Sequence, residues 1–280
     1  MKNILILIFA LTSLGVTTSK NNEVKFIKLI YNLNDSVEKK KFDAWVKNNV
    51  YLLPSDSIGQ RYQSKKKLKI EPMHSLPCVY EDDKYEVYSY CQGEFGGNVL
   101  FLDKQTNRIH ITECTCYNMI VKHDNSYFIT ESLAHMSGSL SISEIKDPST
   151  LPIISQEDLR QPLYTWNTNK SKAIEPQNLL SNIDNIALVF YPYKSNNYLI
   201  YSDFKSLFIG KIEDKKITNL EDIIVEYEEY YFVSNNRSRI VNNIYEHYFS
   251  EDAINSESSN QLYIKSDTIV LGYHRKKSKK

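Results

Sequence analysis

Alternating apolar and polar residues dominate the chain from about residue 79 onward. Alternation places successive side chains on opposite faces of an extended chain, so each run predicts a β-strand with one buried face. Gly, Asn and Asp turns separate the runs, which is typical of short antiparallel strands. The runs are Tyr85 to Cys91, Asn98 to Leu102, Arg108 to Thr112, Tyr117 to Val121, Tyr127 to Thr130, Leu140 to Ile145, 187–191, 198–201 and 207–212.

Two segments carry a helical pattern instead. Asp35 with Glu38 three residues later has the form of a capping box and predicts a helix over about 36–49. Apolar residues between 240 and 249, behind a cap at Asn235, recur at helical spacing and predict a second short helix. A last hairpin is expected over 262–271. Residues 54–72 and 148–182 have no clear period, and we expect irregular surface segments there.

An internal similarity suggests a repeated unit. Residues 139–147 match residues 206–214 at five of nine positions, and each segment follows a similar strand, 127–130 or 198–201. A third segment, 98–104, resembles the same outer strand and turn. Strand units that cannot bury an apolar face alone favour an all-β, mainly antiparallel β-propeller-like fold with two accessory helices. At about 45 residues per blade, the chain predicts five or six irregular blades. A β-sandwich or an α+β fold is the alternative.

The N-terminus has the pattern of a secretory signal peptide. Lys2 precedes the apolar run 4–11, and small or weakly polar residues lead to Ser19 and Lys20. The run is too short to span the ~30 Å of membrane hydrocarbon, so a membrane anchor is the weaker interpretation. We therefore expect a signal peptide over 1–19 and a single mainly-β domain over 20–280 that is secreted or periplasmic. No later stretch is apolar enough to predict a membrane span.

The four cysteines, Cys78, Cys91, Cys114 and Cys116, all lie between residues 78 and 116. An exported protein meets an oxidising compartment, so we expect at least one disulfide. Cys114 and Cys116 are two residues apart and would form a strained bond with each other, which favours bridges from Cys78 and Cys91 to that pair. The alternative is a metal site on one strand face, formed by His110, Cys114 and Cys116.

The charge balance narrows the class of partner. Lys and Arg number 34 and so do Asp and Glu, which argues against a dedicated nucleic-acid binder. The charged and apolar fractions, 24% and 41%, are those of a soluble globular protein. The basic tail 275–280 has the composition of a frayed chain end.

Candidate chemistry is sparse. The sequence has no phosphate-binding loop, dinucleotide fingerprint, His-Glu-x-x-His motif or nucleophile elbow, and it predicts neither a cofactor nor a metal. The best catalytic candidates are His135 and Glu131, because a histidine in a Ser/Gly-rich loop between strands can serve as a general base with a carboxylate partner.

Three further residues are candidates for binding. Glu94 lies in the glycine-rich segment 91–97, where backbone can approach a ligand closely. Tyr88 and Tyr90 belong to a tyrosine-rich strand that could form an aromatic platform. The sequence therefore predicts a non-catalytic binding or interaction module for an extracellular protein or glycan, and the alternative is a hydrolase or other enzyme with its site around His135.

Overall fold

The computed structural model of the protein describes residues 24–50, 67–70, 74–91, 93–134, 138–160, 176–224, 237–241, 244–249 and 260–274. Nineteen strands and two α-helices lie within these ranges, so the predicted all-β, mainly antiparallel fold is confirmed. The helices are α1 (Ser36–Asn49) and α2 (Gln156–Leu159). The predicted signal peptide and the basic tail lie outside the described residues.

The strands form four sheets. In spatial order, the first contains β10 (Ile153–Ile154), β6 (Ile109–Glu113), β5 (Gly97–Asp103), β4 (Tyr85–Cys91), β3 (His74–Glu81) and β2 (Lys67–Ile70). The second contains β11 (Gln177–Ile183), β9 (Ser139–Ile145), β8 (Ser126–Leu133) and β7 (Tyr117–His123). The third contains β12 (Ile186–Tyr193), β13 (Asn196–Ser202), β14 (Leu207–Glu213) and β15 (Lys216–Ile224).

The fourth sheet joins the two ends of the described chain. Its order is β1 (Ile27–Asn32), β19 (Thr268–Tyr273), β18 (Asn260–Lys265), β17 (Ile244–Phe249) and β16 (Arg237–Val241). β1 pairs with β19 in parallel, whereas the other pairings are antiparallel. The described strands thus make four sheets, where the typical blade length predicted five or six units.

Strand register confirms the internal similarity. The matching segments contribute β9 and β14, the third strands of the second and third sheets, and the third similar segment contributes β5 of the first sheet. Thr130 pairs with Ile142 in the second sheet, and Ile200 pairs with Ile209 in the third. Because Ile142 and Ile209 are matched positions of the repeat, Thr130 and Ile200 are equivalent. The strands preceding the matching segments are therefore equivalent with a shift of one residue from the alignment that the sequence suggested.

A β-bulge recurs at the same place in three sheets. The bulged residue of the first strand is Val79 in β3, Asn118 in β7 and Leu188 in β12. Just beyond the bulge, the second strand of each sheet carries a serine, in the series Ser89, Ser132 and Ser202. Ser132 Oγ accepts a hydrogen bond of 3.1 Å from Ala187 N, so this serine connects its own sheet to the next one.

Asn118 fastens two of these bulges together. A bulge redirects a side chain and leaves backbone groups out of the ladder. Asn118 Nδ2 donates to the carbonyl oxygens of Ala187 and Leu188 at 3.1 and 2.8 Å. The bulges of β7 and β12 therefore face each other, and one amide satisfies carbonyls of the second.

The largest apolar core lies among the second, third and fourth sheets. It contains fully buried residues from β12 and β13, such as Phe190 and Leu199. β7 is the first strand of the second sheet in chain order. It contacts β12, the first strand of the third sheet, and β16, the edge strand of the fourth sheet. A second core, around Phe101 and Ile129, joins the first sheet to the second.

The predicted helix over 36–49 is confirmed with Asp35 as its N-cap, but the reciprocal half of the predicted capping box is not formed, because Asp35 N donates to Asn32 O. Asp35 accepts from the backbone N–H groups of Val37 and Glu38 at 2.8 and 3.0 Å. The Glu38 carboxylate accepts instead from Asn32 N, three residues before the N-cap, at 2.5 Å. The buried face of α1 carries Phe42, which packs in a core with residues of the fourth sheet.

The second predicted helix is wrong. Residues 237–241 and 244–249 form β16 and β17, paired from Arg237 with Tyr248 to Val241 with Ile244, while Asn235 lies outside the described residues. The apolar residues of this segment are β-branched or aromatic, and they suit a pleated sheet better than a helix. Pairing of β17 with β18 overrides the helical spacing.

The segment 148–182 is more ordered than its lack of period predicted. It contains β10, α2 and most of β11 as well as a 3₁₀ turn at Pro148–Thr150. Leu151, Ile154 and Leu159 are buried against the first sheet or the core that joins it to the second. Residues 161–175 of this segment lie outside the described part of the chain.

Candidate functional site

Loops from three sheets meet at one end of the strands. We call this the loop end and define it as residues 93–97, 113–117, 131–134, 138–139, 183–186 and 202–206. A continuous series of contacts connects these segments. Thr115 N donates to Glu131 Oε2 at 2.7 Å, Ser132 N donates to Cys116 O at 3.1 Å, and Asp184 N donates to Gly138 O at 3.1 Å.

Gly138 completes this series. A Cβ at this position, where φ is +83°, would lie 2.8 Å from the Phe204 ring and 3.2 Å from Asn185 O. The loops after β8, β11 and β13 are therefore packed directly on one another. The sequence candidates Glu94 and Glu131 fall in this same region, although they are far apart along the chain.

A disulfide between Cys91 and Cys116 holds the first sheet to the turn before β7, with a Cα–Cα distance of 5.0 Å. This agrees with the prediction that Cys91 bridges to the 114/116 pair. The predicted bridge from Cys78 is wrong, because Cys78 and Cys114 are both free and buried. They pack in the cores on opposite faces of the first sheet, so neither can reach the other.

Burial makes both free thiols poor nucleophiles. Burial raises the pKa of Cys78, and the nearby Glu81 and Glu86 raise it further. Burial also raises the pKa of Cys114 well above its ordinary value, with a smaller contribution from Glu131. Since the thiolate is the reactive form, both cysteines are protected in the folded protein.

The alternative metal site is not formed. Cys116 is in the disulfide, and His110 is buried with its Nδ1 3.3 Å from Leu151 O. Within the residues that the structure describes, His, Cys, Asp and Glu side chains nowhere gather in a group of three that could hold a metal ion.

Glu131 has a structural partner. Its carboxylate is half-buried and accepts the backbone N–H of Thr115, which orients the turn that carries Cys116. A carboxylate used in this way supports the disulfide and the loop around it. His135, the other member of the predicted catalytic pair, lies outside the described residues.

The binding candidates are placed differently from one another. Tyr88 is 3% exposed and belongs to the core on the outer face of the first sheet, where its hydroxyl donates to Glu86. Tyr90 is half-buried against the same core. Glu94 lies in the 3₁₀ turn Gly93–Phe95 that connects β4 to β5. Of the three, only Glu94 belongs to the loop end.

The residue that sequence reasoning missed is Phe95, whose side chain is 81% exposed. Gly93 and Gly96 flank it with φ of +65° and +94°, and a Cβ added at either glycine would meet no atom within 4 Å. The aromatic ring therefore stands on a narrow tip. A phenylalanine in a glycine-rich turn is the signal that could have identified it, because the glycines contribute no side chains that could cover the ring.

The opposite end of the sheets is built from short hairpins and paired charges. Asp82 accepts from Lys122 Nζ at 2.8 Å, from the Tyr127 hydroxyl at 2.5 Å, and from the backbone N–H groups of Lys84 and Tyr85. Burial opposes ionisation of this carboxyl, but these hydrogen bonds outweigh it and lower its pKa to about 2. We call this end the hairpin end. Its central carboxylate joins the first sheet to the second.

Comparison with known proteins adds no identity. The chain matches no protein-family model, and its sequence has no significant similarity to any curated protein. The described residues include no helix long and apolar enough to cross a membrane.

Proposed function

We propose that the protein is an exported, non-catalytic binding module, built as a four-bladed β-propeller whose binding surface is the loop end. The observation that carries the proposal is Phe95, a large apolar side chain held in solvent beside a disulfide. Aromatic residues are enriched among the residues that contribute most to binding at protein interfaces, which makes Phe95 the candidate contact residue of the loop end.

The repeated architecture supports the propeller. Three sheets share the bulge and the serine at equivalent register, and the strands of the second and third sheets follow one another in chain order apart from the short elements before β11. β7 contacts both β12 and β16, and β1 completes the last sheet. Propellers bind ligands where loops between strands converge, and the loop end is such a place.

Two observations favour binding over catalysis. The carboxylate of Glu131 accepts from Thr115 N, which gives it a structural role in the turn that carries Cys116. The loop end presents an apolar ring at its tip, whereas general acid–base chemistry needs titratable groups within hydrogen-bond reach of each other.

Export is tested by sequencing the N-terminus of the protein from its native host. Cleavage near Ser19 or Lys20 is expected. An intact Met1 on protein recovered from the cytoplasm contradicts export, and it also removes the oxidising compartment that the disulfide needs.

Binding is tested by lysine-directed cross-linking in the native host followed by mapping of the linked sites. Lys205 lies at the loop end and Lys104 at the hairpin end, so the second residue is the matched control. We expect a recurrent protein partner joined through Lys205. Hydrolysis of nitrophenyl ester, phosphate or glycoside substrates by the pure protein, lost in the variant Glu131→Gln, would overturn the proposal.

A further inference from the structure

The shape of the tip limits what Phe95 can contact. A Cβ at Gly93 or Gly96 would meet no atom within 4 Å, so neither glycine position places the Phe95 ring against the protein, and 81% of the residue is exposed. A flat partner would touch the ring at its edge only. A concave partner can surround it, which is how a single aromatic residue contributes most to binding.

The tip is also held in place before any partner arrives. The disulfide joins Cys91, at its base, to Cys116, and Cys114 N donates to Gly97 O at 3.0 Å. Gly97 itself is enclosed, since a Cβ there would lie 2.2 Å from Tyr90 O and 2.7 Å from Cys114 O. A pre-organised tip loses little conformational entropy on binding, and this favours affinity.

The loop end as a whole is acidic, although the whole chain is neutral. Among the side chains that the structure describes at the loop end, Glu113, Glu131, Asp184 and Asp203 are acidic, against one basic residue, Lys205. Acidic residues on the rim of an interface favour a partner of positive charge. They disfavour the anionic surface of a membrane, for which a single apolar residue is also a weak anchor.

We propose that Phe95 is the anchor residue of the loop end and inserts into an apolar pocket with a basic rim on a partner protein. The inference rests on the proposed function and specifies its partner. A phenyl ring has no polar atom to hydrogen-bond sugar hydroxyl groups, which favours a protein pocket over a glycan. The disulfide and Glu131 act as positioning groups for this tip.

The test uses the full mature protein in its native host with a photo-reactive benzoylphenylalanine at position 95. Matched controls carry it at Ile153, an exposed apolar residue of the first sheet, and at Asp83 of the hairpin end. The protein that is linked from position 95 is purified. Its dissociation constant is then measured for the unmodified chain, Phe95→Ala and Ile153→Ala at two salt concentrations. Phosphatidylglycerol vesicles serve as the membrane probe.

The proposal expects a protein adduct from position 95, at least tenfold weaker binding for Phe95→Ala, unchanged binding for Ile153→Ala and weaker binding at high salt. Adducts from position 83 or 153 alone overturn the anchor but leave a binding module. Adducts from none of the three positions overturn the proposed function as well. Vesicle sedimentation that depends on Phe95 identifies the partner as a membrane and overturns the protein pocket.

Discussion

The loop end and the hairpin end of the same sheets are built on opposite principles. At the hairpin end, two-residue turns such as Lys194-Ser195 take the positive φ of tight hairpins, and charges are paired within and between sheets. At the loop end, the connections are longer, a covalent bond replaces ion pairs, and an aromatic ring is left in solvent.

The difference separates stability from recognition. Asp82 is satisfied by four donors, so the hairpin end contains a polar network that a ligand would have to break. The loop end carries an exposed apolar group whose support comes from the disulfide. Substitutions in the hairpin network and in the base of the tip should therefore affect stability, and substitution of the ring should affect binding alone.

The largest effect is expected from Gly97→Ala at the base of the tip. Its Cβ would meet two backbone carbonyl oxygens and the Cα of Cys91, none of which can rotate away. We expect a loss of about 4 kcal/mol in the free energy of unfolding, measured by denaturant titration. The control Gly96→Ala has open space but a positive φ, and should cost only about 1 kcal/mol. Equal costs for the two variants would contradict the described packing.

Removing the disulfide with the double variant Cys91→Ser, Cys116→Ser should cost about 3 kcal/mol, because the bond closes a loop across a sequence separation of 25. Thiol titration provides a second measurement. The denatured unreduced chain should show two free thiols, from Cys78 and Cys114, and four after reduction. Four thiols before reduction would disprove the bridge.

At the hairpin end, Asp82→Asn should lower the free energy of unfolding by about 2 kcal/mol, because it removes a charged acceptor shared by Lys122 and Tyr127. The neighbouring Asp83 is exposed, so Asp83→Asn is the matched control and should be close to neutral. Thermal unfolding of both variants measures the difference. A network that has no structural role would give the same melting temperature in each.

Acid should weaken the hairpin end. The folded-state pKa of Asp82 is about 2, below its unfolded value of about 3.9. Its contribution is therefore complete above about pH 4 and is lost as the pH falls through about 2. Unfolding followed between these pH values should show a smaller decline in Asp82→Asn than in the unmodified protein. Parallel pH profiles would show that the carboxylate has no stabilising partner.

The smallest effect on stability is expected from Phe95→Ala, less than about 0.5 kcal/mol, since the ring is 81% exposed. As a contrast, Phe101→Ala removes a fully buried ring from the nearby strand β5 and should cost about 3 kcal/mol. Denaturant titration of the two variants contrasts an aromatic residue that builds the core with one that does not. A large cost for Phe95→Ala would place its ring in the fold.

Much of the strand content was predictable because one buried face per strand leaves a period of two in the sequence. The hairpins around residues 124 and 266 and the cap at Asp35 were predictable from local turn and cap chemistry. β16 and β17 were not, because their apolar residues fit both helical and extended spacing and only pairing with β18 decides between them.

The site was less predictable than the fold. The sequence placed Glu94 and Glu131 in separate loops. The proximity of these loops in the fold depends on sheet packing and on the disulfide partner of Cys91, which is Cys116. Tyr88 was a candidate because tyrosine suits binding surfaces. Side chains alternate between the two faces of β4, however, and the Tyr88 side chain points into the core. Exposure of Phe95 depends on the absence of neighbours, which a linear sequence does not record.

The parallel pairing of β1 with β19 has a kinetic consequence. Ile27 aligns with Thr268, so the fourth sheet brings together residues from the two extremes of the described chain. Contacts of such long sequence separation form late, because the intervening chain must first lose its entropy. Helix α1 packs on that sheet, so it can dock only when the sheet has formed. A chain synthesised from its N-terminus therefore keeps its first strand and helix undocked until its last strand has been made.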